Sequence, residues 1–326
     1  MITESITITE LEQLHSMPLL DLVFKAAAIH RDHHNSNEMQ LCTLLSIKTG
    51  GCPEDCSYCP QAARYNTGLE REKLLALDVV LAKAKAAKEN GSSRFCMGAA
   101  FREIKDNQDF EEVLKMVSSV KDLGMEACCT LGMLTESQAK RLKEAGLTAY
   151  NHNLDTSEEH YSKIIQTRTY QDRLTTIQNV MNAGISVCCG GIIGLGESTL
   201  DRLKLIETLA NLSPQPESVP INTLVPVPGT PLENQESVDT FDWIRMIAIA
   251  RIALPKAKIR LSAGRLSIPK EAQAMAFMAG ANSIFSGEKL LTTNNPSNQI
   301  DNDLLEALQF KTTVVEKQNA DKVLSF

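Results

Sequence analysis

The chain lacks the features of a membrane protein, a secreted protein or a nucleic-acid-binding protein. None of its apolar runs approaches the roughly 20 residues that cross a bilayer. Residues 1–15 are acidic and polar, unlike a secretory signal or an Arg-rich transit peptide. A net charge of −7 gives no electrostatic reason to expect nucleic acid or an anionic membrane as a partner. We therefore expect a cytoplasmic protein.

Internal repeats and low-complexity linkers are also absent from the sequence. No repeat of 20–50 residues occurs, which argues against a solenoid or a propeller. The 326 residues include 43% hydrophobic and 22% charged residues, which is typical of a globular protein with a large core. This length suits one α/β barrel or two ordinary domains.

Short β-rich runs alternate with amphipathic helical stretches along most of the chain. Eight such runs occupy 44–49, 93–98, 126–132, 149–155, 186–194, 219–225, 257–263 and 283–287. Helical patterns between them cover 77–90, 110–123, 172–183 and 241–254, and several end in glycine. This alternation predicts parallel strands joined by right-handed crossovers.

Closing eight parallel strands into a ring removes both sheet edges, so we predict a (β/α)8 barrel over residues 39–310. A doubly wound open sheet is the alternative. Residues 1–38 are predicted to form a helical extension outside the barrel, and 311–326 a loosely ordered tail. In such barrels the active site lies at the C-terminal ends of the strands, where this sequence carries Cys, Asn, Asp, Arg and Gly.

Three of the nine cysteines follow the first predicted strand directly. Cys52, Cys56 and Cys59 fall within eight residues, a spacing at which thiolates hold iron–sulfur clusters. Three ligands on a cluster of four irons leave one iron open, and C-x₃-C-x₂-C is the signature of radical S-adenosylmethionine enzymes. The alternatives are a zinc site completed by a distant residue, or three unrelated thiols. Tyr58, between the ligands, suits packing against adenine.

A second set of cysteines lies on later strands. It consists of Cys96, Cys128 or Cys129, and Cys188 or Cys189. Because side chains alternate between the two faces of a strand, only one cysteine of each adjacent pair can point into the barrel. Arg260, on the seventh strand, would be costly to bury without an anionic partner, and thiolates bound to a cluster would supply one. Free cysteine is also a common core residue, which is how we interpret Cys42.

The sequence resembles the biotin synthase family, over residues 38 to 310. The resemblance rests on SIKTGGCPEDCSYCPQ (46–61), RFCMGAA (94–100), EACCTLG (126–132), YNHNLDT (150–156), VCCGGIIGLGE (187–197), SVPINTLVPVPGTPL (218–232), RLSAGR (260–265) and AGANSIFSGEKLLTT (279–293). Members are homodimers of (β/α)8 barrels that insert sulfur between C6 and C9 of dethiobiotin. The resemblance therefore implies a sulfurtransferase that uses S-adenosylmethionine.

The resemblance also implies two cluster sites. Cys52, Cys56 and Cys59 would hold a [4Fe–4S] cluster, whereas Cys96, Cys128, Cys188 and Arg260 would hold a [2Fe–2S] cluster that donates the sulfur. The family patterns E-A-C-x-T-L-G and V-C-x-G-G select Cys128 and Cys188. In this chain the variable positions are themselves cysteine, so Cys129 and Cys189 stay open as alternatives.

Further binding residues follow from strand geometry and from the resemblance together. The expected cofactor contacts are Tyr58, Asn153, Asp155, Arg173 and Ile192. The expected substrate contacts are Asn151, Asn153 and Asn222 at the ureido ring and Thr292 and Thr293 at the carboxylate tail. Without the family, ordinary turn, cap and solvated-surface roles are the alternatives.

In the implied reaction, two adenosyl radicals abstract hydrogen from C9 and C6 in turn, and cluster sulfide quenches each carbon radical. Catalysis then needs no acid or base residue of the protein, but it does need an electron donor, expected to be flavodoxin-like or ferredoxin-like. Two rival interpretations are another radical enzyme without a sulfur donor and a non-catalytic iron–sulfur sensor or carrier. A radical enzyme without a sulfur donor would not need the second cysteine set. A sensor or carrier would not need the array of Asn and Asp residues.

Overall fold

Eight parallel staves, each formed by one strand or by two consecutive strands, close into a barrel in the computed structural model, which describes residues 5–313. The strands are β1 (Glu38–Lys48), β2 (Arg94–Ala99), β3 (Glu126–Thr130), β4 (Ala149–Asn151), β5 (Ser186–Cys188), β6 (Gly191–Ile193), β7 (Ser218–Thr223), β8 (Lys258–Leu261) and β9 (Ser283–Phe285). β5 and β6 are two parts of one stave, since both pair with β7. The pairing of β1 with β9 closes the ring. The predicted (β/α)8 fold is confirmed, and the open-sheet alternative is wrong.

The fifth stave differs from the continuous strand predicted over 186–194. It is interrupted between Cys188 and Gly191. A Cβ at Gly190 would lie 2.0 Å from the carbonyl oxygen of Pro220, so only glycine allows the two backbones to approach this closely. The predicted strand at 149–155 is also shorter, since β4 ends at Asn151 and leaves the following residues in irregular backbone at the barrel mouth.

Eleven helices within the described residues surround the barrel. They are α1 (Ile8–Ser16), α2 (Leu19–His33), α3 (Leu77–Glu89), α4 (Gln108–Asp122), α5 (Glu136–Glu144), α6 (Glu158–Ile164), α7 (Tyr170–Asn182), α8 (Thr199–Ala210), α9 (Thr240–Ala253), α10 (Lys270–Met278) and α11 (Asn298–Ala307). Capping boxes at Thr135, Thr169 and Ser198 fix where α5, α7 and α8 begin. None of the helices in residues 5–313 is long and apolar enough to cross a membrane.

Both ends of the described chain pack against the barrel. Helices α1 and α2 contact α8 and α9, and Arg245 Nη1 donates to the carbonyls of His15 (2.8 Å) and Met17 (2.7 Å). Lys311 and Thr312, where the sequence predicts the start of a loose tail, form β12 (Lys311–Thr312), a short strand parallel to β1. The rest of the predicted tail, from residue 314 onward, lies outside the described residues.

The two faces of the barrel strands pack into two separate apolar regions. Outward-facing side chains, Cys129 and Cys189 among them, join the large core between strands and helices. Inward-facing side chains form a smaller interior cluster of Cys42, Cys96, Cys128, Ala149, Phe285 and Leu290. The fold therefore places one cysteine of the 128–129 pair on each face.

A hairpin after β9 covers part of the barrel mouth. Its strands are β10 (Lys289–Leu290) and β11 (Thr293–Asn294). The hairpin turn reaches across to β2, because a Cβ added at Gly98 would lie 2.5 Å from Leu291 Cδ2. The hairpin therefore borders the space inside the barrel at its C-terminal end.

Candidate active site

A cavity of about 300 Å³ occupies the C-terminal half of the barrel interior. Every residue that the sequence predicts for the site lines it. These are Cys52, Cys56, Tyr58, Cys59, Cys96, Cys128, Asn151, Asn153, Asp155, Arg173, Cys188, Ile192, Asn222, Arg260, Thr292 and Thr293. The fold thus brings together residues from six staves, the loops after β1 and β4, helix α7 and the hairpin, while their individual roles stay predictions.

The first three cysteines lie on the loop that follows β1. A tight turn joins Cys56 to Cys59, since Cys59 N donates to the Cys56 carbonyl (2.9 Å). A second hydrogen bond, from Ala63 N to the Cys52 carbonyl (2.7 Å), holds the two ends of the loop together. Cys56 is buried, and Cys52 and Cys59 are half-buried. Burial raises the pKa of Cys56 to about 12 and that of Cys59 to about 11. A thiol in such surroundings is readily deprotonated only when a strongly cationic group such as a metal centre binds the resulting thiolate.

The donor atoms of this loop suit an iron–sulfur cluster. Among residues 5–313, no three His, Cys, Asp or Glu side chains are grouped to hold one metal ion. Ligands of an iron–sulfur cluster each bind a different iron, so their sulfurs need not meet around one point. The donor set is thiolate only, which iron–sulfur clusters favour. Cys52, Cys56 and Cys59 therefore fit the predicted group.

The second cysteine set faces the deeper part of the same cavity. Cys96, Cys128 and Cys188 line it, whereas Cys129 and Cys189 point outward into the helix-facing core. Interaction between the two thiols lowers the pKa of Cys128 and raises that of Cys96, so the pair accommodates one negative charge more readily than two. The strand register thus agrees with the choice of Cys128 and Cys188 over their neighbours.

Arg260 extends its fully buried guanidinium across the barrel floor toward these thiols. Its Nη1 lies 3.4 Å from Cys188 Sγ, its Nε donates to Ser283 Oγ (2.9 Å), and its Nη2 donates to Gln40 Oε1 (3.1 Å). Burial opposes the charge, but the thiols of Cys42 and Cys188 raise the pKa of Arg260. A buried cation beside inward thiols fits an anionic cluster, which would supply the missing counter-charge.

Cys42 lies in the same interior cluster as Cys96 and Cys128. Its Sγ is 3.9 Å from Ser283 Oγ. It does not line the cavity, which agrees with its interpretation as a packing residue inside the barrel.

Asp155 is the centre of a buried polar group at the barrel mouth. One of its carboxylate oxygens accepts from Tyr58 Oη (2.9 Å) and from Arg173 Nη2. Its backbone φ of +68° is unusual for a residue other than glycine and is tolerated best by Asp and Asn. Asp155 lines the cavity, so its carboxylate could accept a further hydrogen bond from a bound molecule.

Arg173 is more fully engaged by the protein than the sequence suggested. Besides Asp155, it donates from Nε to Tyr161 Oη (2.8 Å) and from Nη1 to the Asn153 carbonyl (2.5 Å). These contacts fix the guanidinium in place beside the cavity. They also leave fewer N–H groups for the cofactor carboxylate than a solvated arginine would offer.

The asparagines near the second cysteine set are hydrogen-bonded to one another and to the strands. Asn151 Nδ2 donates to Asn153 Oδ1 (3.1 Å) and lies 3.3 Å from Cys188 Sγ. Asn222 bridges two staves, donating to the Gly191 carbonyl (2.9 Å) and accepting from Ala263 N (3.1 Å). Each amide therefore has a fixed orientation toward the cavity before any ligand binds.

Sequence reasoning missed three polar residues that border the cavity. Glu54, His152 and Arg168 each carry a buried side-chain atom that has no hydrogen-bond partner within residues 5–313. Glu54 stands between the first two cysteines, and Arg168 lies five residues before Arg173, so both were visible next to predicted site residues. Their unsatisfied atoms appear only when the loops are brought together.

Two family models match the chain. The Radical SAM superfamily model matches residues 46–209, about half of the chain, and the Biotin and Thiamin Synthesis associated domain matches residues 220–311. Together they span the barrel and its mouth.

Curated relatives match almost the whole chain. A biotin synthase of Cytophaga hutchinsonii is 60% identical, with 93% of this chain and 90% of the relative covered. A biotin synthase of Myxococcus xanthus is 62% identical, with 92% of this chain and 87% of the relative covered.

Solved structures of lower identity share the fold. A methylornithine synthase gives a TM-score of 0.80 at 19% identity, with 95% of each chain covered. The FeFe-hydrogenase maturase HydG from Carboxydothermus hydrogenoformans gives a TM-score of 0.80 at 19% identity, with 95% of this chain and 76% of that protein covered. At this identity the likeness concerns the barrel alone.

Proposed function

The chain belongs to the biotin synthase family of radical S-adenosylmethionine enzymes, and we propose that it inserts sulfur between C6 and C9 of dethiobiotin. One observation carries the proposal beyond the family name. Six cysteines and Arg260 line a single cavity, in two sets at different depths. A radical enzyme without a sulfur donor would need only the outer set.

Two clusters fit these donor sets. Cys52, Cys56 and Cys59 would hold a [4Fe–4S] cluster, and Cys96, Cys128, Cys188 and Arg260 would hold a [2Fe–2S] cluster. When bound, the first supplies the electron that cleaves S-adenosylmethionine and the second supplies the sulfur. The protein contributes the enclosed position of both sites, which keeps water and other reactive groups away from carbon radicals.

The cofactor would bind at the mouth of the barrel, next to the outer cysteines. Asp155 would accept hydrogen bonds from the ribose or the amino group of S-adenosylmethionine through its second carboxylate oxygen. Tyr58 and Ile192 would enclose the adenine, and Asn153 would contact the same molecule through its Nδ2. The hydrogen bonds of Arg173 would keep Asp155 correctly oriented.

Dethiobiotin would lie between the cofactor and the inner cysteines. Asn151, Asn153 and Asn222 carry amide donors and acceptors that match the N–H and carbonyl groups of a ureido ring. Thr292 and Thr293 on the mouth hairpin would bind the carboxylate tail through hydroxyl and backbone N–H groups. This arrangement would leave C6 and C9 facing the inner cysteines.

The proposed setting is a cytoplasmic homodimer that receives electrons from a flavodoxin-like or ferredoxin-like protein. The test is anaerobic reconstitution with iron and sulfide, followed by addition of S-adenosylmethionine, dethiobiotin and a strong reductant. We expect both 5′-deoxyadenosine and biotin as products.

Two variants separate the roles of the cysteine sets. Cys52→Ala is expected to abolish 5′-deoxyadenosine, whereas Cys96→Ala should retain a [4Fe–4S] spectrum and lose biotin. A wild-type protein that assembles only one cluster would overturn the sulfur-donor role. A wild-type protein that forms no 5′-deoxyadenosine would overturn the radical reaction itself.

A further inference from the structure

Arg168 has a buried guanidinium that the proposed function does not use. Its side chain is only 8% exposed, and its Nε has no hydrogen-bond partner within residues 5–313. Buried arginine is costly unless its N–H groups are satisfied, so an unsatisfied one at a cavity wall indicates a missing ligand.

The loop that carries Arg168 is fixed against the first cysteine loop. Asp55 Oδ1 accepts from the backbone N–H groups of Gln166 (2.9 Å) and Thr167 (3.1 Å), and Ser57 N donates to the Ile164 carbonyl (3.0 Å). Arg168 and the cysteines Cys52 and Cys56 line the same cavity. The guanidinium is therefore positioned beside the thiols by neighbouring backbone contacts.

Glu54 is the anion nearest to Arg168, but it does not satisfy the guanidinium. Arg168 Nε lies 3.8 Å from Glu54 Oε2, which is too far for a hydrogen bond. The same glutamate oxygen already accepts from Thr167 Oγ1, and Arg102 Nε approaches the other oxygen at 3.6 Å. Arg173, the other arginine at this wall, is occupied by Asp155, Tyr161 and the Asn153 carbonyl. Arg168 thus remains available to an anion in the cavity.

We propose that Arg168 is a binding residue for the anionic group held at Cys52, Cys56 and Cys59. Its N–H groups donate to the sulfurs of the cluster or to the carboxylate of S-adenosylmethionine, which are the two anions that this site would hold. The inference rests on the proposed function, because it requires a cluster at these cysteines. Its consequence is that Arg168 favours the more negative state of whatever it contacts.

The test compares Arg168→Met with the wild type and with Arg168→Lys, which keeps the charge. The midpoint potential of the reconstituted cluster is measured by dithionite titration followed by EPR, without S-adenosylmethionine. If Arg168 contacts the cluster, R168M should lower the reduced-to-oxidised ratio about tenfold at fixed potential, a shift of about −59 mV for one electron. If it contacts the carboxylate, calorimetry on the same protein should show about tenfold weaker binding of S-adenosylmethionine.

Arg102→Met is the matched control, because Arg102 also approaches Glu54 but is 39% exposed. It should change neither quantity. A folded R168M that no longer retains the cluster, with retention in R168K, also supports the proposal. If R168M does not fold, Arg168→Gln replaces it in the comparison with the wild type and R168K.

Unchanged potential and unchanged affinity in folded R168M would show that Arg168 only balances Glu54, and would overturn the inference. The melting temperature of the cluster-free proteins gives a separate measure of such a structural role, because loss of a needed ion pair would lower it. A wild-type protein that binds no cluster refutes the proposed function, whereas a loaded wild type with an unchanged R168M refutes only the role of Arg168.

Discussion

At the scale of single residues, the adjacent pair Cys128 and Cys129 provides an internal comparison. Both are fully buried, yet Cys128 faces the cavity and Cys129 faces the helices. We predict that Cys128→Ala removes the signal of the [2Fe–2S] cluster and about a third of the cluster-bound sulfide that the two sites would hold together. Iron and sulfide analysis after anaerobic reconstitution, with absorption spectra, measures both.

Cys129→Ala is the control for that variant. It removes the same atoms one residue away, so it should retain full iron and sulfide while lowering the free energy of unfolding by about 1 kcal/mol. Loss of the inner cluster in Cys129→Ala, with retention in Cys128→Ala, would reverse the assignment.

The sequence identified candidate site residues more completely than it identified what surrounds their side chains. The spacing of Cys52, Cys56 and Cys59 can be read directly from the sequence, because the three residues lie on one short loop. Strand parity required one inward cysteine in each adjacent pair but did not say which, since that depends on the register of β3 and β5 within the closed ring. Arg168 was missed because what marks it is a buried Nε without a hydrogen-bond partner in the described part of the chain, and only the folded structure reveals that.

At the scale of elements, helix α2 carries a buried histidine that makes its packing sensitive to acid. His30 is 2% exposed, and its Nε2 has no hydrogen-bond partner within the described part of the chain. Burial is the largest cause that lowers the pKa of His30 to about 3, and the charges of Arg251, His34, Arg31 and Lys258 lower it further. Protonation therefore opposes the contact between α2 and α9.

The effect on stability has a definite sign. In the unfolded chain the pKa of His30 returns to about 6.5, so the unfolded state binds more protons between pH 6.5 and 3. The stabilisation is complete above pH 6.5 and is lost as the pH falls below it, by about 1.4 kcal/mol per pH unit. Urea unfolding at pH 7.5, 6.0 and 5.0 measures this loss.

His30→Leu keeps the apolar volume and removes the titrating group. We expect it to reduce the dependence of unfolding free energy on pH by about one proton over this window. An identical dependence in both proteins would mean that other groups account for the acid sensitivity.

Element boundaries show where sequence patterns stop being informative. The four helices with predicted ranges, α3, α4, α7 and α9, begin and end within two residues of the prediction, because caps and terminal glycines are local signals. The break between β5 and β6 was not predicted, because it arises from the contact of Gly190 with Pro220 on a different stave. Asn153 was expected on a regular strand, whereas it lies in irregular backbone after β4, where its Oδ1 accepts from Gly190 N (3.1 Å).

At the scale of the whole molecule, the two cysteine sets connect staves that are far apart along the chain. The outer set lies on the loop after β1, and the inner set lies on β2, β3 and β5, with Arg260 on β8. A group bound to the inner set would therefore join strands on opposite sides of the ring. The barrel cannot open there without releasing that group.

Cluster loading should consequently stabilise the complete fold. A ligand that binds only the native state at 1,000 times its Kd adds about 4 kcal/mol, which for a chain of this size corresponds to a rise in Tm of about 5 °C or more. Calorimetry under anaerobic conditions, with and without reconstitution, measures the difference. Cys96→Ala should lose part of the rise and Cys129→Ala should retain it. Equal Tm values for the loaded and cluster-free wild type would contradict a role for the bound groups in joining the staves.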